Sequence, residues 1–227
     1  MPRDVPRPGR SATLPRMPLA RVRRDYRGRA LLERRSPAEP LALFRRWLAA
    51  ALASGTIEPT AMTLATVDAR GRPRARMVLL KSAGASGFTF YTNLDSAKGR
   101  ELSRRPEAAL VLWWPALSRQ IRIEGRVGRL PARDADAYWA LRPREAQLGA
   151  WASPQSRVLA SRAALDARLV QVTERFKGRA VPRPPHWGGF RLSARAIEFW
   201  QGRPGRLHDR LRYTRRAGRW RRERLAP

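Results

Sequence analysis

The chain of 227 residues has no cysteine, two histidines and almost no lysine. Without cysteine there is no disulfide framework, no thiolate nucleophile and no Cys-based metal site. His186 and His208 stand apart in the sequence and lack the close spacing of zinc ligands, so no metal is expected. The lysines are Lys81, Lys98 and Lys177, so arginine carries nearly all of the net charge of +30. A surface selected for phosphate backbones would use both residue types. Near-exclusive arginine reads instead as a genome-wide nucleotide bias, and no specific nucleic-acid partner is expected. Any polyanion binding should be indifferent to sequence and weaken with salt.

Long apolar runs are also missing, and none approaches the ~20 residues of a membrane span. No apolar segment follows Arg3, Arg7, Arg10 and Arg16, as a secretory signal would require. Pro2, Pro6, Pro8, Pro15 and Pro18 would break the amphipathic helix of a mitochondrial presequence. Residues 1–20 are expected to form a disordered arm and 21–227 a single domain, in a cytoplasmic protein with no membrane partner. Neither GxGxxG nor GxxxxGK[ST] occurs, so a nucleotide cofactor would have to be held in another way.

What is present is mostly strand. "SPAEPLALFRRWLAAALASG" (36–55) predicts an amphipathic helix with Leu41, Phe44, Leu48 and Leu52 on one face. Strand-like runs follow at 61–68, 73–81, 87–93, 107–115 and 118–130, with a short helix at 96–106. Helices are expected at 131–141 and about 157–176, and strands again from Trp187 to the end, with "RRAG" as a hairpin turn. Turn signals every eight to twelve residues indicate an antiparallel barrel or sandwich. Trp47, Trp113, Trp114 and Trp187 are expected in the core.

Three stretches set polar groups into apolar strands: "RMVLLK" (76–81), "YTNLDSAKGRE" (91–101) and "GAWASPQSRVLASR" (149–162). The second places hydroxyls and Lys98 at a helix start, where anions bind well. In the third, Ser156 reads equally as a plain helix N-cap. A fourth, "FWQGRPGRLHDR" (199–210), would put Arg206, His208 and Arg210 on one face if extended. Flanking guanidiniums disfavour a protonated imidazole, so an anion between them is the natural ligand. A purely structural His208 remains the alternative.

In the order "PTAMTLATVD", "RMVLLK", "FYTN", "SRQIRIEGRV", "RPREAQLGAWASPQSR", "WGGFRL", "IEFWQGRPGRLHDR" and "RLAP", the chain from about Arg21 to Pro227 resembles the pyridoxine (pyridoxamine) 5′-phosphate oxidase family. The resemblance implies a mainly β fold with flanking helices, an FMN-binding split β-barrel, and a homodimer with both FMN sites at the subunit interface. It implies oxidation of pyridoxine or pyridoxamine 5′-phosphate to pyridoxal 5′-phosphate, with hydride passing from substrate C4′ to flavin N5 and dioxygen as final acceptor. The cofactor residues it implies are Arg76, Met77, Val78, Leu79, Leu80, Lys81, Tyr91, Thr92, Lys98, Gln120, Gln155, Ser156, Trp200 and Arg210. The substrate residues are Lys81, Tyr138, Arg142, Arg206 and His208, the last two catalytic, with Arg23 and Tyr26 as a lid. Ala97 stands where the family often has a basic residue, and Ala146 where a serine is common. Two other readings stay open: a related flavin oxidase for another cyclic substrate, such as those of phenazine assembly, and a non-catalytic basic binding module.

Overall fold

Alternation builds the sheet. In β1 (Ala61–Val67), Met62, Leu64 and Thr66 are buried while the residues between them are half-exposed. The same period runs through β5 (Glu107–Trp114) and β6 (Arg119–Arg129). The computed structural model describes residues 25, 26 and 28–227; the expected N-terminal arm and Arg23 lie outside the described residues.

All pairings are antiparallel. The remaining strands are β2 (Pro73–Leu79), β3 (Ser82–Gly84), β4 (Gly87–Asn93), β7 (Trp187–Gln201), β8 (Asp209–Arg216) and β9 (Arg219–Leu225). The order is β2-β1-β5-β6-β7-β4-β3, with β8 and β9 added beside β7. The long β7 is shared. Its first part pairs with β4 through Leu192, and its last part pairs with β8 from Ala196 onward. Between them Arg195 bulges out opposite the Glu124–Gly125 step of β6. A bulge bends and twists its strand, which lets one edge serve two partners. Gly125 is required there, because a Cβ would lie 2.1 Å from the Ser193 carbonyl oxygen. The other closure lies at 80–81: Leu80 N–H donates to the Thr60 carbonyl and Lys81 N–H to the Thr89 carbonyl. The chain thereby crosses from the β1 end of the sheet to the β4 end and closes the barrel.

The helices are α1 (Pro40–Ala53), α2 (Ala97–Arg104), α3 (Ala132–Ala140), α4 (Arg144–Ala152) and α5 (Arg162–Arg175). On α1 the buried side chains are Leu43, Phe44, Trp47 and Ala51, whereas Leu52 is 59% exposed. Of the expected face, Phe44 is buried and Leu41 and Leu48 pack against the core at its margin; only Leu52 is corrected, because Trp47, edge-on against Phe199, centres the buried face on Leu43, Phe44, Trp47 and Ala51. Helix α4 was not expected; it buries only Leu148 and Ala152, too little to leave an apolar period. Trp114 is buried, but Trp113 is 42% exposed, since strand alternation sends neighbours to opposite faces. A second, smaller cluster under α3 and α4 joins Trp139, Leu148, Phe176 and Trp187. None of the described helices is long and apolar enough to cross a membrane.

The stretch 28–37 runs along the last two strands. Leu31 N–H donates to Asp209 Oδ2 at 3.0 Å, and Arg224 reaches both the Leu31 carbonyl and Glu33. The Arg224 hydrogen bond holds the Glu33 carboxyl down at about 2. A carboxylate depressed in the folded state stabilises the fold above its unfolded pKa and loses that contribution as pH falls toward the folded value. The urea midpoint should therefore decline between about pH 4.5 and 2, and Glu33→Gln should flatten part of that decline. The pair is solvent-exposed, so the effect is modest.

Candidate active site

A cleft of about 440 Å³ opens between the barrel and the α3–α4 layer, a volume typical of small-molecule sites. Its barrel wall is Met77, Val78, Leu79 and Lys81 from the β2–β3 crossing, with Tyr91 and Thr92 from β4. Its helical wall is Tyr138, Arg142, Ala146 and Gly149, and Gln155 comes from the turn beyond α4. Asn93, Gly149, Ala150 and Ser153 fall within the stretches 91–101 and 149–162 but were not individually expected in the site, and Trp187 was assigned to the core alone.

Aromatic rings make one side of the cleft flat. Tyr91 stacks on Tyr138 at 4.2 Å and on Trp187 at 5.4 Å. The Arg142 guanidinium lies 4.9 Å over the Trp187 ring. One Arg142 Nη donates to the Ala146 carbonyl, and its buried Nε has no hydrogen-bond partner among the described residues. Burial works against the charged form of Arg142.

Lys98 is the other unusual cation. It enters from the first turn of α2, whose N-cap Ser96 accepts from Gly99 N–H. Its Nζ donates to Gln155 Oε1 at 2.8 Å and to Thr92 Oγ1 at 3.2 Å, both neutral acceptors. Burial lowers the Lys98 pKa, and the nearby Arg76 charge lowers it further. The Glu101 charge partly offsets this at longer range, but an ammonium whose hydrogen bonds all go to neutral groups is well suited to receive an anion.

Arg76 and Leu80 lie outside the lining. Arg76 points under the barrel wall, paired with Glu101 at 2.7 Å and bonded to Thr66. Leu80 is buried in the core. Ser156 is exposed in a turn with φ of 69°, and the N-cap of the following helix is Ser161, whose hydroxyl accepts from Ala164 N–H. The N-cap reading of Ser156 is thus corrected: the helix begins later.

The other implied residues form a second group. Gln120, Trp200 and Arg210 are direct neighbours across β6, β7 and β8, and Trp113 extends the row on β5. Ile121, Phe199 and Leu211, one position along, are fully buried, so this row faces outward from the barrel. Glu198, 8% exposed, holds Arg210 at 2.8 Å and Arg122 at 3.3 Å. Its hydrogen bond raises the Arg210 pKa. His208 packs on Trp200 with ring centroids 4.6 Å apart, and Tyr26 meets both rings edge-on at 5.5 Å. Burial and then Arg206 lower the His208 pKa, which keeps the imidazole neutral near pH 7.

Arg206 does not share a strand with them. Residues 204–206 form a tight turn in which Gly205 and Arg206 both have positive φ, and β8 starts only at Asp209. The same-face argument from an extended segment is corrected for this residue, because Pro204 and Gly205 turn the chain. No residue of this second group lines the cleft.

An antiparallel barrel split along one shared strand, with an unneutralised cation beside a flat aromatic wall, is the architecture of split-barrel flavoproteins. PhzG from Burkholderia lata 383, solved with tetrahydrophenazine-1-carboxylic acid, has a TM-score of 0.83 and 36% identity over 88% of this chain and 99% of that one. A pyridoxamine 5′-phosphate oxidase-related, FMN-binding protein from Nostoc punctiforme shares the fold, with a TM-score of 0.66 at 20% identity over 81% of this chain and 97% of that one. The family model described as pyridoxamine 5′-phosphate oxidase matches residues 48–176, and the pyridoxine 5′-phosphate oxidase C-terminal dimerisation region matches 187–227. Relatives called pyridoxine/pyridoxamine 5′-phosphate oxidase are 55% identical in Microcystis aeruginosa and 53% identical in Pseudomonas paraeruginosa; each match covers 92% of this chain and 98% of the relative. The chain belongs to the pyridoxine/pyridoxamine 5′-phosphate oxidase family, whose cofactor is FMN. The unpartnered Arg142 Nε, the Lys98 ammonium and the aromatic wall fit ligands that are flat and carry phosphate.

Ala146 lines the cleft beside Arg142. A hydroxyl there would add a hydrogen bond to a charged group, worth roughly 1.5–3 kcal/mol. Ala146→Ser is therefore expected to lower the Michaelis constant for the phosphorylated substrate about tenfold. Steady-state kinetics measures it.

Proposed function

We propose that this enzyme oxidises pyridoxine 5′-phosphate and pyridoxamine 5′-phosphate to pyridoxal 5′-phosphate, as a cytoplasmic homodimer whose sites each combine two chains. The observation that carries this reading is the separation of the implied residues into a cleft and an outward-facing row. Neither group is a complete site alone, and residues 187–227, which hold Trp200, Arg206, His208 and Arg210 of the outward-facing group, match the family's dimerisation region. A two-fold dimer would bring the row of each protomer over the cleft of its partner. Residues 21–227 act as one domain in this reading.

In the cleft, Lys98, Thr92 and Gln155 would hold the FMN phosphate, and Met77, Val78, Leu79 and Lys81 with Tyr91 would line the cofactor. Gln120, Trp200 and Arg210 would complete its binding from the row, with Arg210 as the fixed positive charge. When bound, FMN supplies a two-electron acceptor for the substrate C4′ hydride and returns to its oxidised form with dioxygen, giving peroxide. Lys81, Tyr138 and Arg142 would bind the substrate phosphate, where bidentate arginine geometry is most useful. Arg206 and His208 would orient the pyridine ring. His208 accepts the Arg203 N–H at Nδ1, so its neutral form carries the proton on Nε2 and can donate a hydrogen bond from there. Tyr26 would cover the ring and exclude water.

The test is a visible spectrum of the purified protein before and after anaerobic addition of pyridoxine 5′-phosphate. A flavin spectrum that bleaches on addition is the expected result. A colourless protein that takes up no FMN would leave only a binding role. The likeness to PhzG favours one second reading, a flavin oxidase for another cyclic substrate. A flavin that bleaches with tetrahydrophenazine-1-carboxylic acid but not with pyridoxine 5′-phosphate would establish it.

A further inference from the structure

Tyr26 and the turn carrying Arg206 and His208 come from distant parts of the chain, and Arg203 joins them. Its Nη1 donates to the Gly28 carbonyl, 175 residues away. Its Nε lies 3.5 Å from Asp209 Oδ2, and its backbone N–H donates to His208 Nδ1 at 3.1 Å. Asp209 in turn accepts from Leu31 N–H at 3.0 Å and from Arg224 at 2.8 Å. One carboxylate and one guanidinium thus fasten residues 28–31 to residues 203–209.

The packing beneath this fastening leaves no slack. A Cβ on Gly28 would fall 2.0 Å from Gln201 Nε2, and one on Gly202 would fall 2.7 Å from the Tyr26 ring. Arg206 has φ of 64°, a conformation that side-chain-bearing residues adopt at a cost and keep only when their surroundings impose it. The turn is therefore held from outside, and Arg203 is placed to hold it.

We propose that Arg203 is a positioning residue for the substrate half of the site, clasping the Tyr26 segment against the turn that presents Arg206 and His208. This rests on the proposed substrate role of those three residues. It adds a residue that touches neither ligand and acts through the Gly28 carbonyl and Asp209.

Full-length Arg203→Met and Arg203→Lys, each loaded with FMN, provide the test. The parent and both variants are compared in flavin content, in KM and kcat for pyridoxine 5′-phosphate, and in amide hydrogen exchange over residues 28–35 without substrate. Arg203→Met is expected to keep its flavin and raise KM about tenfold, as loss of a charge-assisted contact would. Its kcat should change far less, and residues 28–35 should exchange faster. Arg203→Lys keeps a charge near Asp209 but lacks the guanidinium fork, and should fall between the two. A parental KM in Arg203→Met overturns the proposal, whatever the exchange shows. A raised KM with parental exchange overturns it as well, because the effect would not pass through the clasp. If Arg203→Met does not fold, the same criteria apply to Arg203→Lys. A parent that binds FMN but does not turn over pyridoxine 5′-phosphate overturns the proposed function instead; exchange alone then decides the clasp, with faster exchange supporting it and parental exchange refuting it.

Discussion

Equal amounts of Lys98→Met protein and Arg206→Ala/His208→Ala protein, nearly inactive separately, should together recover about one quarter of parental activity when co-refolded. Lys98 belongs to the cleft and His208 to the outward-facing group. In the proposed site, loss of the ammonium would remove a charge-assisted hydrogen bond of roughly 1.5–3 kcal/mol and weaken FMN about ten- to a hundredfold or more. The assay is run at FMN just sufficient for the parent. Random pairing makes about half the dimers mixed, and in each of these one of the two sites receives both intact halves. If cleft and row served the same site within one chain, every site would carry a lesion. Activity no higher than the mean of the two variants would therefore exclude the shared site.

Phe199→Ala should be the most destabilising single change near the site. The ring is fully buried between Trp47 at 5.3 Å and Tyr213 at 5.7 Å, both edge-on. It lies in register with Ile121 and Leu211, so its loss opens a cavity across three strands and α1. Truncations of this kind cost about 3–5 kcal/mol. For a chain of this size that corresponds to a fall in melting temperature of roughly 6–20 °C. Scanning calorimetry of the FMN-free protein measures it. A fall of less than about 3 °C would mean that the neighbouring rings close the gap.

Local pattern made most of the strands legible. "GFTFYTN" is β4 from its first residue to its last, and "RRAG" turns with Ala217 and Gly218 both at positive φ, as a tight hairpin requires. Burial was less legible where two elements compete for it, as with the exposed Leu52 of α1 and the outward Trp113. Polar groups set into apolar strands marked the stretches 76–81 and 91–101, whereas Tyr138 and Arg142 on the helical side were named only through the family resemblance. The state of the cleft residues was not legible. The salt bridge of Arg76 with Glu101 joins β2 to α2, and only the tertiary fold sets them side by side. Arg203 left no local signal either, since its partners lie at Gly28 and Asp209. Nor does a single chain's sequence pattern say that the implied residues divide into two surfaces.

The strap between residues 28–37 and the last strands also bears on how the molecule is made. Leu31 waits for Asp209 across 178 positions, Pro37 for the Tyr213 hydroxyl across 176, and Glu33 for Arg224 across 191. At about 5–20 residues per second, the ribosome needs on the order of ten to forty seconds to supply those partners. Until then the early segment has none of these anchors, and α1 must dock on a barrel whose shared strand is not yet paired on both edges. Ring closure between such distant points is slow to form. A nascent chain halted before Asp209 should expose residues 28–37 to protease, and full release should protect them.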